Sequence, residues 1–237
     1  MTGLIQSLSI ESRLFLRSFK ERAIISGEAQ RPRPRIQSLS DLIFGLALSI
    51  GALNLISNKP ADTQALFGNI ATFGFSFLIL IFVWFRYTET MSVLPVETGR
   101  TRSLNTIMLF LVAIEPYLFN QLSFGLNAVA SSPLPQDVAS ATYGLDLGAI
   151  WIILAAFTHI LTIEERNLVA PDLVHKYRLM RNLEIIVAAI FFVSLLPPFW
   201  TTLIGGTSLR YVLWGLTFFV RRTGNLYSRL VSKRTKS

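Results

Sequence analysis

Cysteine is absent from the 237 residues, which excludes a disulfide framework, a thiolate metal site and a cysteine nucleophile. Charged residues are also scarce, because Asp, Glu, Lys and Arg make up 15% of the chain, whereas a soluble domain carries about 25%. Hydrophobic residues account for 51%, and the mean hydropathy is +0.50. This composition predicts an all-α membrane protein that crosses the bilayer several times.

Motifs of enzymatic chemistry are absent as well. The sequence contains no GxSxG, no HExxH and no glycine-rich phosphate loop. In enzymes these motifs supply a nucleophile, a metal site and a phosphate-binding loop, respectively. Asp146 and His159 share one apolar segment but stand 13 residues apart, nearly four helical turns and too far for a common metal site. We therefore expect no enzyme activity, no cofactor and no resident metal.

The first 34 residues contain no uninterrupted apolar run, because basic residues interleave with Leu, Ile and Phe. This pattern argues against a secretory signal peptide. It fits either an amphipathic helix attracted to anionic lipid or a disordered basic tail. We predict a basic N-terminal segment and linker over residues 1–34, a membrane domain over 35–220 and a basic tail over 221–237.

The chain is organised around the stretch from Arg35 to Asn58. A helix from Asp41 to Ser57 would be roughly 25 Å long, close to the thickness of the hydrocarbon core. Five further apolar segments bring the predicted number of transmembrane helices to six. These segments are about Phe67–Phe85, Leu104–Ser123, Ala141–Ile163, Leu183–Trp200, with a break at Pro197-Pro198, and Leu203–Val220.

The basic residues predict the orientation of these spans. Of the 22 Lys and Arg residues, all except Lys59 and Arg210 fall in one alternating set of segments, which includes both termini. Positive charge accumulates on the cytoplasmic side, so both termini are expected in the cytoplasm of a cell-membrane protein. The net charge of +8 is thus explained by topology and lipid contact, without a nucleic-acid partner.

The first predicted span has two different faces. Helical spacing places four residues on one stripe of the helix, and these are Leu42, Leu46, Ser49 and Leu53. The opposite face carries Phe44, Ala47, Gly51 and Asn54. The pattern alone leaves open which face looks inward.

The polar residues that open this span carry a resemblance to a known family. Arg35, three further residues and then Leu39-Ser40-Asp41 resemble the signature of the transmembrane protein 175 family, in which an aromatic residue stands where Leu39 does. This family comprises the lysosomal potassium channel of animals and its prokaryotic relatives. Trp84, the run from Leu104 to Tyr117 and the six-span length also agree with it. The segment after Trp84 lacks the family's histidine, and Glu115 stands where an apolar residue is more usual.

The resemblance implies a homotetramer in which four copies of the first helix surround a pore that passes K⁺ in preference to Na⁺, within membrane lipid. Carried over by position, Leu46 forms a hydrophobic constriction, Ser49 a ring of hydroxyls and Leu53 the next apolar ring, with Leu42 on the same row. No Thr-Val-Gly-Tyr-Gly filter loop is present. The alternative is that the leucines face lipid or another helix.

Arg35, Ser40 and Asp41 lie off this row, so we do not expect them to line the pore. A charge near a span needs a partner, and we expect Asp41 either to pair with Arg35 or to accept a hydrogen bond from a neighbouring helix. The alternative is an ordinary helix cap formed by Ser40 or Asp41.

Glu115 is the exceptional residue, because an acid within a span is a functional candidate. It could titrate, bind a cation or pair with Arg210, and we favour the pairing. A second candidate function is a secondary or proton-coupled transporter that uses Glu115 and Asp146, and a third is a non-conducting scaffold. His159 is expected to be a hydrogen-bonded helix residue and His175 to lie in a loop.

Overall fold

A computed structural model describes residues 35–57, 60, 62–94, 99–122, 136–163, 168–204 and 207–220. These residues form seven helices and one two-stranded hairpin. The helices are α1 (Arg35–Ser57), α2 (Thr63–Met91), α3 (Gly99–Asn120), α4 (Gln136–Leu161), α5 (Pro171–Val193), α6 (Pro197–Thr201) and α7 (Leu209–Val220), and the strands are β1 (Leu203–Ile204) and β2 (Thr207–Ser208).

By their contacts, the residues divide into two units, 1–38 and 39–237. The first unit is described only at 35–38, which begin α1, and every contact given below belongs to the second. The predicted N-terminal segment and basic tail lie outside the described residues.

The helical fold class is confirmed, apart from the short hairpin in which Leu203 pairs with Ser208 and Ile204 with Thr207. Three helices in the described part are long and apolar enough to cross a membrane, and they contain Thr63–Met91, Gly99–Asn120 and Asp137–Leu161. Two shorter apolar stretches, Gln37–Leu53 and Leu209–Val220, lie in α1 and α7. The count of six spans therefore stays a prediction.

Helices α2, α3 and α4 begin earlier than the apolar runs that predicted them. Asp62 starts α2 because its extended backbone and its Oδ1, which accepts from the Ala65 amide at 2.7 Å, satisfy a free donor of the first turn. At its other end, α2 continues past Phe85 to Met91, and both Tyr87 and Met91 are buried. Hydrophobicity marks the membrane segment, whereas helical hydrogen bonding continues into the polar residues on either side.

The fifth predicted span was placed wrongly. Helix α5 begins at Pro171, which suits a first turn because it needs no amide donor there, and it ends at Val193 rather than Trp200. Pro197 disfavours helical backbone in the residue before it, and Leu196 is extended with ψ 143°. The short α6 then starts at the prolines. His175 lies within α5 and not in a loop.

The sixth predicted span begins later than expected, at Leu209. The hairpin β1–β2 occupies the residues before it, and the Leu209 amide donates to the carbonyl of Thr202 at 2.9 Å. The Ser208 hydroxyl donates to the carbonyl of Phe199 at 2.9 Å, which ties the hairpin to α6. These bonds satisfy backbone groups near the start of α7 that would otherwise lack partners.

Helix α4 is the centre of the bundle and packs mainly against α5 and α3, with further contacts to α2. Two glycines permit the close approach to α5. A Cβ atom at Gly148 would lie 2.9 Å from the ring of Phe192, and one at Gly144 would lie 3.2 Å from Leu195. A side chain at Gly148 would force the ring of Phe192 to move, and one at Gly144 would press against Leu195.

Candidate functional site

The two faces of α1 differ sharply in burial. Phe44 and Ala47 are each 1% exposed, whereas Leu46 is 58% exposed. Gly51 lies on the buried side, where its missing Cβ would be 3.6 Å from the ring of Phe73 on α2. The side chain of Asn54 is outside the described residues.

The exposed side of α1 is the row singled out by its spacing, formed by Leu42, Leu46, Ser49 and Leu53. The Ser49 hydroxyl donates to the carbonyl of Gly45 within the same helix at 2.8 Å. This bond uses the single proton of the hydroxyl and leaves the lone pairs of its oxygen available to a further partner. The leucine row is therefore a surface of the subunit and not part of its core.

A polar contact joins the start of α1 to the cytoplasmic end predicted for α2. Trp84 Nε1 donates to Asp41 Oδ1 at 3.1 Å. This is the geometry of an acid that accepts from a neighbouring helix, one of the two alternatives considered for Asp41. The side chain of Arg35 is not among those the structure describes.

A second polar contact, one residue earlier on α1, connects three helices. Tyr87 Oη lies 2.6 Å from Ser40 Oγ and 2.7 Å from Asn105 Oδ1, and all three side chains are buried. Because a phenol has one proton, which goes to the amide oxygen of Asn105, the Ser40 hydroxyl donates in the first bond. The Tyr87 ring also packs against Phe44 at 5.4 Å between centroids.

Sequence reasoning missed Tyr87 and Asn105. One signal for Tyr87 was present, because it follows Trp84 by three residues and thus shares its face of α2. Asn105 lies on α3, and no local pattern connects it to Ser40. The contact is set by the packing of three helices.

A charged network joins α2 to α5. Arg86 donates to Glu184 Oε1 through Nη2 at 2.6 Å and through Nε at 3.2 Å. Its Nη1 reaches Glu89 Oε2 at 3.0 Å, and Lys176 Nζ lies 2.9 Å from Glu89 Oε1. Arg86 and Glu184 are buried, so this part of the chain carries a buried ion pair that spacing did not predict.

Glu115 does not pair with Arg210, contrary to the favoured expectation. It is fully buried and accepts from Ser76 Oγ at 3.1 Å and from Tyr143 Oη at 2.9 Å. The reason lies in the packing, since Glu115 faces α2 and α4. Asp146, one turn after Tyr143 on α4, is also buried.

Arg210 instead joins the ends of several helices. Its Nε donates to the carbonyl of Ser194 at 2.9 Å, its Nη1 bonds to Ser140 Oγ, and its guanidinium lies over the ring of Trp200 at 5.6 Å. These partners belong to the C-terminal side of α5, the first turns of α4 and the short α6. Neutral oxygens and an aromatic face thus hold this buried cation.

His159 is hydrogen-bonded, as expected, with Nδ1 at 3.2 Å from Arg181 Nη1. Arginine has no acceptor, so Nδ1 accepts and the ring proton is on Nε2. Within the residues described, no group of three or more His, Cys, Asp or Glu side chains is placed to hold a metal ion.

Long apolar helices joined by buried polar contacts define an α-helical protein that spans the membrane several times. A family model described as "Endosomal/lysosomal potassium channel TMEM175" matches residues 35–116, from the first residue of α1 to Pro116 in α3. This part of the chain is thus similar to the TMEM175 family, whose model describes a potassium channel.

Solved structures share the fold. A lysosomal potassium-selective channel TMEM175 homolog from Chamaesiphon minutus is similar with a TM-score of 0.53 and 19% identity, covering 81% of this chain and 97% of that chain. A variant of the potassium channel MtTMEM175, in complex with a nanobody fusion protein, is similar with a TM-score of 0.55 and 18% identity, covering 86% of this chain and 95% of that chain. No curated protein matches.

Proposed function

We propose that this chain forms a potassium channel in which four copies surround a central pore lined by α1. Potassium ions move passively down their gradient and are preferred over sodium. The names of the similar structures, which describe potassium channels, support the ion. The observation that carries the pore assignment is the exposure of the Leu46 side of α1 opposite the buried Phe44 and Ala47.

The proposed constriction is a ring of four Leu46 side chains. An apolar neck offers an ion no ligands to replace its water, so a narrow neck empties of water and closes the pore. An ion that gives up water more readily passes more easily, and potassium is less tightly hydrated than sodium. Leu42 and Leu53 extend the same apolar row on either side.

Ser49 supplies the proposed polar ring one turn beyond Leu46. Its proton is held by the Gly45 carbonyl, so its oxygen lone pairs are free to meet a partly dehydrated cation. Four such oxygens would compensate for part of the water lost in the neck.

The polar contacts at the start of α1 support this orientation of the helix. Ser40 bonds to Tyr87, and Asp41 accepts from Trp84, so two adjacent residues attach α1 to α2. These contacts hold Phe44 against the subunit and turn the leucine row away from it. We propose structural roles for Arg35, Ser40, Asp41 and Trp84, and not contact with the ion.

We further propose six membrane spans with both termini in the cytoplasm. The long apolar helices α2, α3 and α4 support a multi-pass membrane protein. The concentration of Lys and Arg in alternate segments supports the orientation.

The absence of cysteine permits a sharp test of the pore. Leu46→Cys introduces the only thiol, and four thiols near one axis should form disulfide-linked dimers under mild oxidation and should block flux when they react with a charged thiol reagent. Leu78→Cys is the matched control, because Leu78 is an exposed leucine on α2. Equal cross-linking and equal sensitivity of the two variants would refute the pore assignment.

Ion flux tests the function itself. Protein reconstituted in liposomes should pass K⁺ faster than Na⁺, and Leu46→Ala should widen the neck, raise the flux and reduce the preference for K⁺. Leu78→Ala should leave both unchanged. A protein that passes neither ion would contradict the channel.

A further inference from the structure

Two carboxyl groups lie inside the subunit, away from the proposed pore surface. Glu115 on α3 is fully buried, and Asp146 on α4 is 5% exposed. Tyr143 connects them, because its hydroxyl donates to Glu115 at 2.9 Å and it precedes Asp146 by about one turn of α4. Both acids belong to helices long and apolar enough to cross a membrane, where an ionised group is costly unless it is partnered.

The two carboxyl groups have unequal partners. Glu115 accepts from the hydroxyls of Ser76 and Tyr143. Both oxygens of Asp146 are buried, and neither has a hydrogen-bond partner in the part of the chain that the structure describes. A buried carboxylate needs donors to replace the water that it loses. Glu115 is therefore suited to its charged form and Asp146 to its neutral form.

Among the residues that the structure describes, no cation donates a hydrogen bond to Asp146. On α2, Ser76 faces Glu115, and the nearest charged side chain, Arg86, follows ten residues later, about 15 Å along the helix. Near Gly144 and Gly148, α4 meets Phe192 of α5 and the following residues Ser194 and Leu195, and none of these three titrates.

On α7, the titratable groups are Arg210 and Tyr211. Arg210 is engaged with the Ser194 carbonyl and the Ser140 hydroxyl, and Ser140 precedes Asp146 by about 9 Å along α4. The ring of Tyr211 packs against Trp214. Glu115 and Tyr143, the titratable groups that this site brings together with Asp146, cannot neutralise a second negative charge.

We propose that Glu115 and Asp146 form a proton-binding site inside the subunit, in which Asp146 carries the proton. The step adds one proton from water to one carboxylate oxygen and changes no other bond. Two neighbouring carboxylates in a site of low dielectric constant cannot both remain ionised at little cost, and a single shared proton removes the repulsion. The site is separate from the exposed Leu46 row and does not depend on the proposed channel.

The proposed site should make the protein less stable as the pH rises. The folded protein keeps a proton that the unfolded chain, with Asp146 in water, releases above about pH 4. Stability from this site is therefore present at low pH and is lost as the pH rises. For one proton, the unfolding equilibrium constant changes by up to tenfold for each pH unit within that range.

The test is the stability of the purified protein in detergent from about pH 5 to about pH 8, measured as Tm and as resistance to SDS, in choline chloride. The stability of the wild type should fall as the pH rises. Asp146→Asn mimics the neutral acid, so its unfolding equilibrium constant should rise up to tenfold less per pH unit than that of the wild type. Asp62→Asn is the matched control, because Asp62 is exposed and Asn caps a helix equally well. It should behave as wild type.

Three further variants or conditions make the test decisive. Glu115→Gln removes the neighbouring charge, so the loss of stability should move to lower pH. Asp146→Leu provides an uncharged alternative if the Asn variant does not fold. The same pH dependence in wild type and in the Asp146 variants would overturn the proposal. So would a wild-type protein whose stability at high pH is restored by K⁺ or Na⁺, because the site would then bind an alkali cation.

Discussion

Trp84 on α2 donates its indole N–H to the carboxylate of Asp41 on α1, and the neighbouring Ser40 bonds to Tyr87, three residues after Trp84. Two adjacent residues of one helix thus meet two residues on one face of another. The rotation of α1 about its own axis is fixed by these two bonds, and with it the side on which Leu46 lies.

Trp84→Phe should destabilise the protein by about 1–3 kcal/mol, because the carboxylate of Asp41 loses a donor while the aromatic packing is kept. SDS unfolding of the purified protein measures the change. Trp151→Phe is the matched control, since Trp151 is only partly buried, and it should be close to neutral. Equal effects of the two substitutions would show that the Asp41 contact contributes nothing.

Tyr87→Phe removes one hydroxyl that bonds to both Ser40 and Asn105, and it leaves two buried polar groups without that partner. We expect a loss of about 1–3 kcal/mol in the free energy of unfolding. Tyr117→Phe serves for comparison, because Tyr117 is 63% exposed. If α1 then turns more freely, K⁺ flux in liposomes should also change in the Tyr87 variant. Unaltered stability would contradict the three-helix contact.

Glu184→Gln should be among the most destabilising single changes, because it leaves the buried guanidinium of Arg86 without its main carboxylate. Breaking a buried pair from one side costs about 3–5 kcal/mol. Glu89→Gln should cost less, about 1 kcal/mol, because Glu89 and Lys176 are partly exposed to solvent and Arg86 keeps its pair with Glu184. Thermal unfolding in detergent compares the two, and a larger effect of the Glu89 variant would refute this ranking.

Gly144→Val should strain the packing of α4, because the added atoms meet Leu195, just after α5, and the buried ring of Trp214 on α7. Overpacking of this kind costs about 1–3 kcal/mol. At Gly68, in contrast, an added Cβ meets nothing within 4 Å, so Gly68→Ala should be neutral or stabilising by about 0.5–1 kcal/mol. Resistance to SDS distinguishes them, and a stable Gly144 variant would contradict the packing.

The sequence predicted those features that local patterns determine. Helical spacing placed Leu46 and Phe44 on opposite faces of α1, and in the structure Leu46 is exposed and Phe44 is buried. The signature from Arg35 to Asp41 predicted the resemblance to the transmembrane protein 175 family, and the model of that family matches residues 35–116. Whether the exposed leucines meet their own copies stays a proposal.

Features that depend on packing were not predictable. The first half of α5 is rich in charge, so hydropathy placed it in a loop, although Tyr177 and Met180 bury one face of that helix. The predicted pair of Glu115 with Arg210 was also wrong because it depended on packing. The real partners of Glu115, Ser76 and Tyr143, stand 39 and 28 residues away in the chain, and only the arrangement of α2, α3 and α4 brings them together.

The contact between Gly148 and Phe192 has a consequence for motion. A Cβ atom at Gly148 would lie 2.9 Å from this ring, so the ring packs close to α4 and should resist sliding of α4 along α5. Thermal fluctuations should therefore be unevenly distributed, with amide hydrogen exchange slowest in this pair and faster in α1, whose Leu46 side is exposed.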